Sequence, residues 1–261
     1  MTDYFLSFLL GLIQGLTEFL PISSSAHLLF PTLIFGTNDL GLSFDIAVHA
    51  GTLIAVIYYF RQEIISMLKS ITTNETALSD YRKLTCMLII ATIPIIAVGL
   101  GFSDLIAARI FNISSIAIAN VIFAILLLLV FLNRKENVAI FEITLKAAVV
   151  IGVFQCLALI PGASRSGMAI TGALLIGLNL KDASKFAFLL SIPTIAGALV
   201  FLLIDIDQIN FDYVSMLIGF LVSLFVAFFT IKFFLAFVEK IGMIPFVIYR
   251  MILGFVLLTV I

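Results

Sequence analysis

Between Gln155 and Leu178 the chain carries a single charge, Arg165, which sits in a break reading Pro161-Gly162-Ala163-Ser164-Arg165-Ser166-Gly167. This stretch limits the fold more than any other. An arginine near the middle of a membrane segment costs several kcal/mol unless it faces a wet cavity or a partner. A proline-glycine break inside hydrocarbon leaves backbone N–H groups that lipid cannot satisfy and an anion can. Guanidinium, small hydroxyls and free N–H groups together suit phosphate oxygens. The stretch predicts a phosphate-binding centre buried at membrane depth.

The surrounding sequence supports that depth. With 63% hydrophobic and 11% charged residues and a mean hydropathy of +1.29, the chain reads as an all-α polytopic membrane protein. A net charge of −1 gives no general attraction to nucleic acid. Cys86 and Cys156 lie in apolar segments with no CxxC or histidine cluster, so both read as core thiols. Trp is absent, which leaves Phe and Tyr for the membrane interfaces. No basic region opens the N-terminus, so no cleaved signal peptide is expected.

Tyr4 to Leu20 is apolar but holds Gln14, Thr17 and Glu18, and stops at Pro21. Ile22 to Phe35 follows, carrying Ser23, Ser24, Ser25 and His27. Each piece falls short of the ~20 apolar residues a spanning helix needs. The pair predicts a re-entrant helical hairpin; one bent span plus a loop is the alternative. Spans are expected at Phe44–Phe60, Leu84–Phe102, Ser114–Leu132, Phe186–Ile204, Tyr213–Ile231 and Met243–Ile261, with Arg61 to Lys83 a polar loop. Ala147 to Leu180, broken at Pro161-Gly162, predicts a second hairpin. The plan is six transmembrane helices and two re-entrant hairpins.

The halves look alike. Gln14-x-Leu16 leads to Pro21 and Ser23-Ser24-Ser25, while Gln155-x-Leu157 leads to Pro161 and Ser164-Arg165-Ser166. Each hairpin is followed by three spans, the first carrying Ala50-Gly51-Thr52 or Ala196-Gly197-Ala198. An odd number of spans turns the second unit upside down. The expectation is one integral membrane domain over 1–261, an inverted repeat of about 1–132 and about 140–261, with its site between the units. Eleven of the fourteen Lys and Arg residues (Arg61, Lys69, Arg82, Lys83, Arg134, Lys135, Lys146, Lys181, Lys185, Lys232 and Lys240) then share the cytoplasmic side. Asp205, Asp207 and Asp212 fall in an outer loop and Arg109 in the other. One hairpin enters from each side, so the tips meet inside the bilayer.

The ionisable residues left at depth are Glu18, His27, Asp45, His49, Arg165 and Arg250. Glu18 is a counter-ion of Arg165, a ligand for a divalent cation or a base. Gln14, one turn earlier on the same face, is a neutral oxygen ligand at best. His27, beside three serines and a helix break, suits a catalytic imidazole; a hydrogen-bonded structural histidine is the alternative. Ser23, Ser24 and Ser25 cap a helix, bind phosphate, or do both. Ser164 and Ser166 have the same two readings beside Arg165. Asp45 and His49 share a helical face; Asp45 is read as a helix-start charge at the outer interface, with a pair that supports the site from behind as the alternative. Arg250 is an interior ion pair, a snorkelling side chain or a phosphate-steering group.

The run from Gln14 through Glu18, Pro21 and Ser23-Ser24-Ser25 to His27 resembles the first signature of the bacterial undecaprenyl-diphosphatases, the bacitracin-resistance family. Pro161 to Gly167 resembles their second, and Ile244-Pro245-Phe246-Val247-Ile248-Tyr249-Arg250 their C-terminal segment. The resemblance implies hydrolysis of undecaprenyl diphosphate to the monophosphate carrier lipid, recycled for peptidoglycan synthesis at the outer face of the plasma membrane. It also implies a divalent cation, Mg²⁺ or Ca²⁺. Carried over by position, Glu18 belongs to the acidic motif, Ser24 and His27 to the nucleophile or base region, and Arg165 with Ser164 and Ser166 to phosphate binding. Gln14 stands where many members have Glu, and Ala169 where a hydroxyl is expected, with Thr171 further on. A polyprenyl diphosphate lipid and the bilayer are the expected partners, nucleic acid is not, and a homodimer is an open alternative. The rival reading is a transporter or flippase for polyprenyl phosphates, which inverted repeats with broken helices also suit.

Overall fold

The computed structural model describes residues 3–24, 26–28, 36, 40–73, 75–102, 112–204 and 212–259, the side chains of 3 and 202–204 excepted. Apolar runs that must satisfy every backbone group internally become helices. In order these are α1 Asp3–Thr17, α2 Gly41–Tyr59, α3 Arg61–Thr72, α4 Ser79–Gly101, α5 Ile113–Leu132, α6 Leu145–Cys156, α7 Arg165–Leu175, α8 Leu180–Ile204, α9 Tyr213–Ile241 and α10 Ile244–Thr259. The protein is an all-α polytopic membrane protein; among the described residues five helices are long and apolar enough to cross a bilayer, α2, α4, α5, α8 and α9. The expected sixth span, α10, has 16 residues. At 1.5 Å per residue it covers about 24 Å, less than the ~30 Å hydrocarbon core.

Two boundaries differ from expectation. The loop expected at Arg61 to Lys83 contains α3, because Ile64, Met67 and Ser70 recur at helical spacing and the first two pack on the core. Helix α9 continues ten residues past Ile231, carried by buried Phe234, Leu235 and Val238 at the same period. The last two lysines, Lys232 and Lys240, therefore sit on a helix and not in a loop.

Both breaks lie where expected. The chain leaves α1 at Thr17, turns through Pro21 and becomes helical again at residue 24; residues 29–35 of the return arm, with Ser25, lie outside the described set. The second break runs from Ile160 to Ser164, between a 3-10 turn at Leu157–Leu159 and α7. Val138, before α6, pairs with Leu178, after α7, and its N–H donates to Gly177 O at 2.9 Å. The α6–α7 hairpin thus enters and leaves at one end of the molecule.

Details of the two halves correspond. Ser23 and Ser164 have φ of 71° and 72°, values that side-chain-bearing residues seldom adopt. The first arm of each hairpin packs on the middle long helix of the other half, α1 on α9 and α6 on α4. Both contacts need glycine. A Cβ on Gly11 would stand 2.9 Å from Gly219 O, and one on Gly152 2.5 Å from Ala91 O. Each glycine lies three residues before its buried glutamine, Gln14 or Gln155.

The basic segments meet at one end of the molecule. Lys185 pairs with Glu63 at 2.9 Å, Lys181 with Glu239 at 3.8 Å, and Ile140 N–H donates to Asp182. The contacts join α3, the start of α8, the end of α9 and the α5–α6 connection. Along α9, Phe225, Phe229, Phe233 and Phe237 form an exposed stripe at four-residue spacing, as a hydrocarbon solvent requires.

Candidate active site

The two breaks meet across the interior. Arg165, the first residue of α7, forms an ion pair with Glu18 through Nη2 and Oε1, 147 residues apart in sequence. Ser166 donates its hydroxyl to Leu20 O at 2.8 Å, a second tie between the breaks. Glu18 is 7% exposed, and a carboxylate that deep persists as an anion only if it is answered by charge or hydrogen bonds. The answer is dense. Besides Arg165 at Oε1, Oε2 accepts from Gln14 Nε2 at 2.9 Å and from Ser24 Oγ at 2.7 Å. Arg165 also donates through Nη1 to Ser191 O on α8 at 3.3 Å.

Beside this array opens a cavity of about 220 Å³ lined by Glu18, Ser23, Ser24, His49, Ser164 and Arg165, with Thr194 and Ala198 of α8. Ser164 caps α7, its Oγ accepting from Gly167 N–H at 3.2 Å. Ser164 and Arg165, the cap and first residue of α7, both line the cavity, so the positive dipole end of α7 faces it beside the guanidinium. The cavity thus brings the start of α7 and its arginine against a carboxylate that holds a serine hydroxyl.

The remaining candidates sit in different surroundings. Thr171 donates to Gly167 O at 2.6 Å and is fully buried inside α7, behind the cavity and not on its wall. Ser166 is spent on Leu20, Ser25 lies outside the described residues, and Gln14 turns its nitrogen toward Glu18. Gln14 Oε1 is buried without a hydrogen-bond partner among the described residues and is not on the cavity wall. His27 lies beside the first break, with Nδ1 2.7 Å from Ser23 O and Nε2 2.6 Å from the Tyr249 hydroxyl. A carbonyl only accepts, so Nδ1 carries the proton and the Tyr249 O–H donates to Nε2. The rings stack at 5.6 Å. His27 is absent from the wall of this cavity.

The structure adds two residues, His49 on the cavity wall and Tyr249 against His27 outside it. His49, read as partner to Asp45 near the interface, lines the cavity with Nε2 3.9 Å from Glu18 Oε2, while Nδ1 is 2.7 Å from Asp45 O. Tyr249 appeared only as a letter in the C-terminal signature, yet it holds the His27 ring. The i, i+4 spacing of Asp45 and His49 was visible, but nothing local says that α2 turns that face toward Glu18.

A chain of this form is an integral membrane protein with a polar cavity, lined by an arginine and a carboxylate, between two helix breaks. The Bacitracin resistance protein BacA family matches residues 7–256. A protein named undecaprenyl-diphosphatase from Alcanivorax borkumensis is 44% identical over 260 residues, 98% of each chain. Another of that name from Saccharophagus degradans is 45% identical over 251 residues, 94% of this chain and 93% of its own. The chain belongs to the bacitracin resistance protein BacA family.

Proposed function

We propose that this protein is an undecaprenyl-diphosphate phosphatase, hydrolysing the lipid diphosphate to undecaprenyl phosphate and inorganic phosphate. The observation that carries the reading is the array Arg165–Glu18–Ser24 on one wall of a small polar cavity at membrane depth. The relatives' name agrees with it. A transport site would need an anion cradle alone, whereas a hydroxyl donated to a buried carboxylate is a nucleophile held against its base.

In this reading the terminal phosphate enters the cavity against Arg165, the α7 N–H groups and the Ser164 hydroxyl. A phosphate drawn to the guanidinium loosens its pairing with Glu18. Ser24 Oγ attacks the terminal phosphorus, its proton passing to Glu18 Oε2, while the bond to the bridging oxygen breaks and the lipid monophosphate leaves. Glu18 gives that proton to the departing lipid phosphate and is a carboxylate again. Water then attacks the phosphoserine, its proton passing to Glu18 and on to the serine oxygen as the Ser24–phosphorus bond breaks, which releases inorganic phosphate and restores Ser24 and Glu18. Arg165 and the helix start stabilise the charge on the equatorial oxygens throughout. An apolar groove of about 540 Å³ opens beside Leu16 and Leu20, on either side of Glu18 in sequence, and fits a polyprenyl chain.

Around its one carboxylate the cavity wall offers the oxygens of Ser23, Ser24, Ser164 and Thr194 and one imidazole, His49, a sparse set that suits a hard cation held mainly by substrate oxygens. Glu18 would hold Mg²⁺ or Ca²⁺ there, with Ser24 adjacent, and Gln14 would orient the carboxylate. Bound, the cation neutralises phosphate charge. The basic end of the molecule lies in the cytoplasm and the cavity opens toward the outer face of the inner membrane, in an inverted-repeat frame.

Phosphate release from farnesyl diphosphate by the purified protein in detergent tests the reading. Release by the wild type, lost with EDTA and restored by Mg²⁺, is expected. No release, with lipid-phosphate exchange in proteoliposomes, would make the protein a transporter. Rapid quench should find a phosphoryl mass increment on Ser24; a Ser24→Ala variant with wild-type turnover would assign the attack to water.

A further inference from the structure

One buried charge takes no part in this chemistry. Arg250 of α10 is 0% exposed, and no carboxylate pairs with it among the described residues. Its guanidinium is spent on oxygens of other segments. Nε donates to Asn120 Oδ1 at 2.8 Å, Nη2 to Gly162 O at 2.9 Å and Ala163 O at 3.0 Å, and Nη1 to Pro21 O at 3.5 Å. Asn120, on α5, answers by donating Nδ2 to Arg250 O at 2.9 Å. One side chain thus grips carbonyls of both breaks and is itself aligned from α5.

That grip has a directional consequence. In a trans peptide the C=O and the following N–H point opposite ways. Holding the Ala163 carbonyl toward Arg250 turns the Ser164 N–H away from it. Ser164 sits at φ 72°, a conformation a serine keeps only when its surroundings impose it. The Pro21 carbonyl, two residues before the equally left-handed Ser23, is held from the same point. A planar fork of five donors can reach four oxygens on three segments; a lysine ammonium is a point donor and cannot.

We propose that Arg250 is a positioning residue: a clamp behind both breaks that sets the backbone of Ser164 and Arg165 to receive a phosphate group. It never meets the substrate. It acts through the Ala163–Ser164 peptide, and Asn120 sets its orientation. The proposal rests on the phosphatase reading for its turnover readout and on phosphate binding for a readout free of it.

The test compares wild type with Arg250→Lys, Asn120→Ala and Asn120→Asp, purified in detergent. Turnover of farnesyl diphosphate, calorimetric binding of inorganic phosphate and the thermal unfolding midpoint are measured on each. Misplacement of a site by a fraction of an ångström is expected to lower kcat of Arg250→Lys about 100-fold. Its phosphate affinity should fall about tenfold, the size expected for loss of one charge-assisted contact geometry. Asn120→Ala should show a smaller loss of both, and Asn120→Asp, which keeps the oxygen facing Nε, should recover most of it. Unfolding shifted down with kcat and phosphate affinity unchanged would make Arg250 a packing residue only and overturn the clamp. Should Arg250→Lys fail to fold, the Asn120 pair decides: wild-type values in Asn120→Ala overturn the proposal. A wild type that binds phosphate but releases none would sink the phosphatase reading, and the clamp would still be judged on phosphate affinity.

Discussion

Arg165 carries the most at the scale of single residues. Its guanidinium reaches Glu18 with one nitrogen and Ser191 O with another, so both position and fork shape matter. Arg165→Ala should reduce kcat/KM to background, and Arg165→Lys should lose roughly 10²–10³-fold, as for removal of a preorganised donor. Near-normal turnover in the lysine variant, measured on farnesyl diphosphate, would mean that charge alone suffices. His27 and Tyr249 form a separate unit. Tyr249→Phe leaves Nε2 of a buried imidazole without its donor, a cost of about 1–3 kcal/mol. The loss should appear in the unfolding midpoint in detergent. It should also be non-additive with His27→Ala, because the two side chains share the contact. Additive losses in that double-mutant cycle would show that the 2.6 Å contact contributes nothing of its own.

At the scale of elements, the two breaks are the parts under strain. Gly162 has φ +96°, and a Cβ there would lie 2.4 Å from Ile116 O, a backbone atom of α5 that cannot swing aside. Gly162→Ala should therefore destabilise by roughly 2–4 kcal/mol, from left-handed strain and the clash together. It should also cut turnover, because the same peptide carries the Gly162 carbonyl that Arg250 holds. A thermal scan alongside an activity assay checks both. An unchanged midpoint would mean that α5 gives way. The longer elements are more tolerant: their exposed aliphatic and aromatic faces meet lipid, where one large apolar residue serves as well as another.

For the whole molecule the question is orientation. Ion pairs and hydrogen bonds gather α3, the start of α8 and the end of α9 at one end. Asp212, which caps α9 through Ser215 and Val214, begins that helix at the opposite terminus. In a cysteine-free background, Lys69→Cys should resist an impermeant maleimide added to intact cells and Asp212→Cys should react. The reverse labelling pattern would invert the molecule and turn the cavity toward the cytoplasm.

Much of this was legible in the sequence because hydrocarbon leaves few options. Apolar runs with internal breaks forced helices, and polar groups inside them marked a site: Glu18, Ser24, Ser164 and Arg165 were found as residues before they were found as neighbours. Lateral packing was not legible, since one apolar face looks like another. Nothing local says that α3 packs on the core, that α2 turns His49 toward Glu18, that Tyr249 meets His27, or that Arg250 binds carbonyls and not a carboxylate. Local chemistry determined where the chain must break and what charge the break must carry. Only the tertiary structure decided which partners meet there, because a contact across 147 residues depends on how whole helices lean together, and periodicity within one helix holds no record of its neighbour.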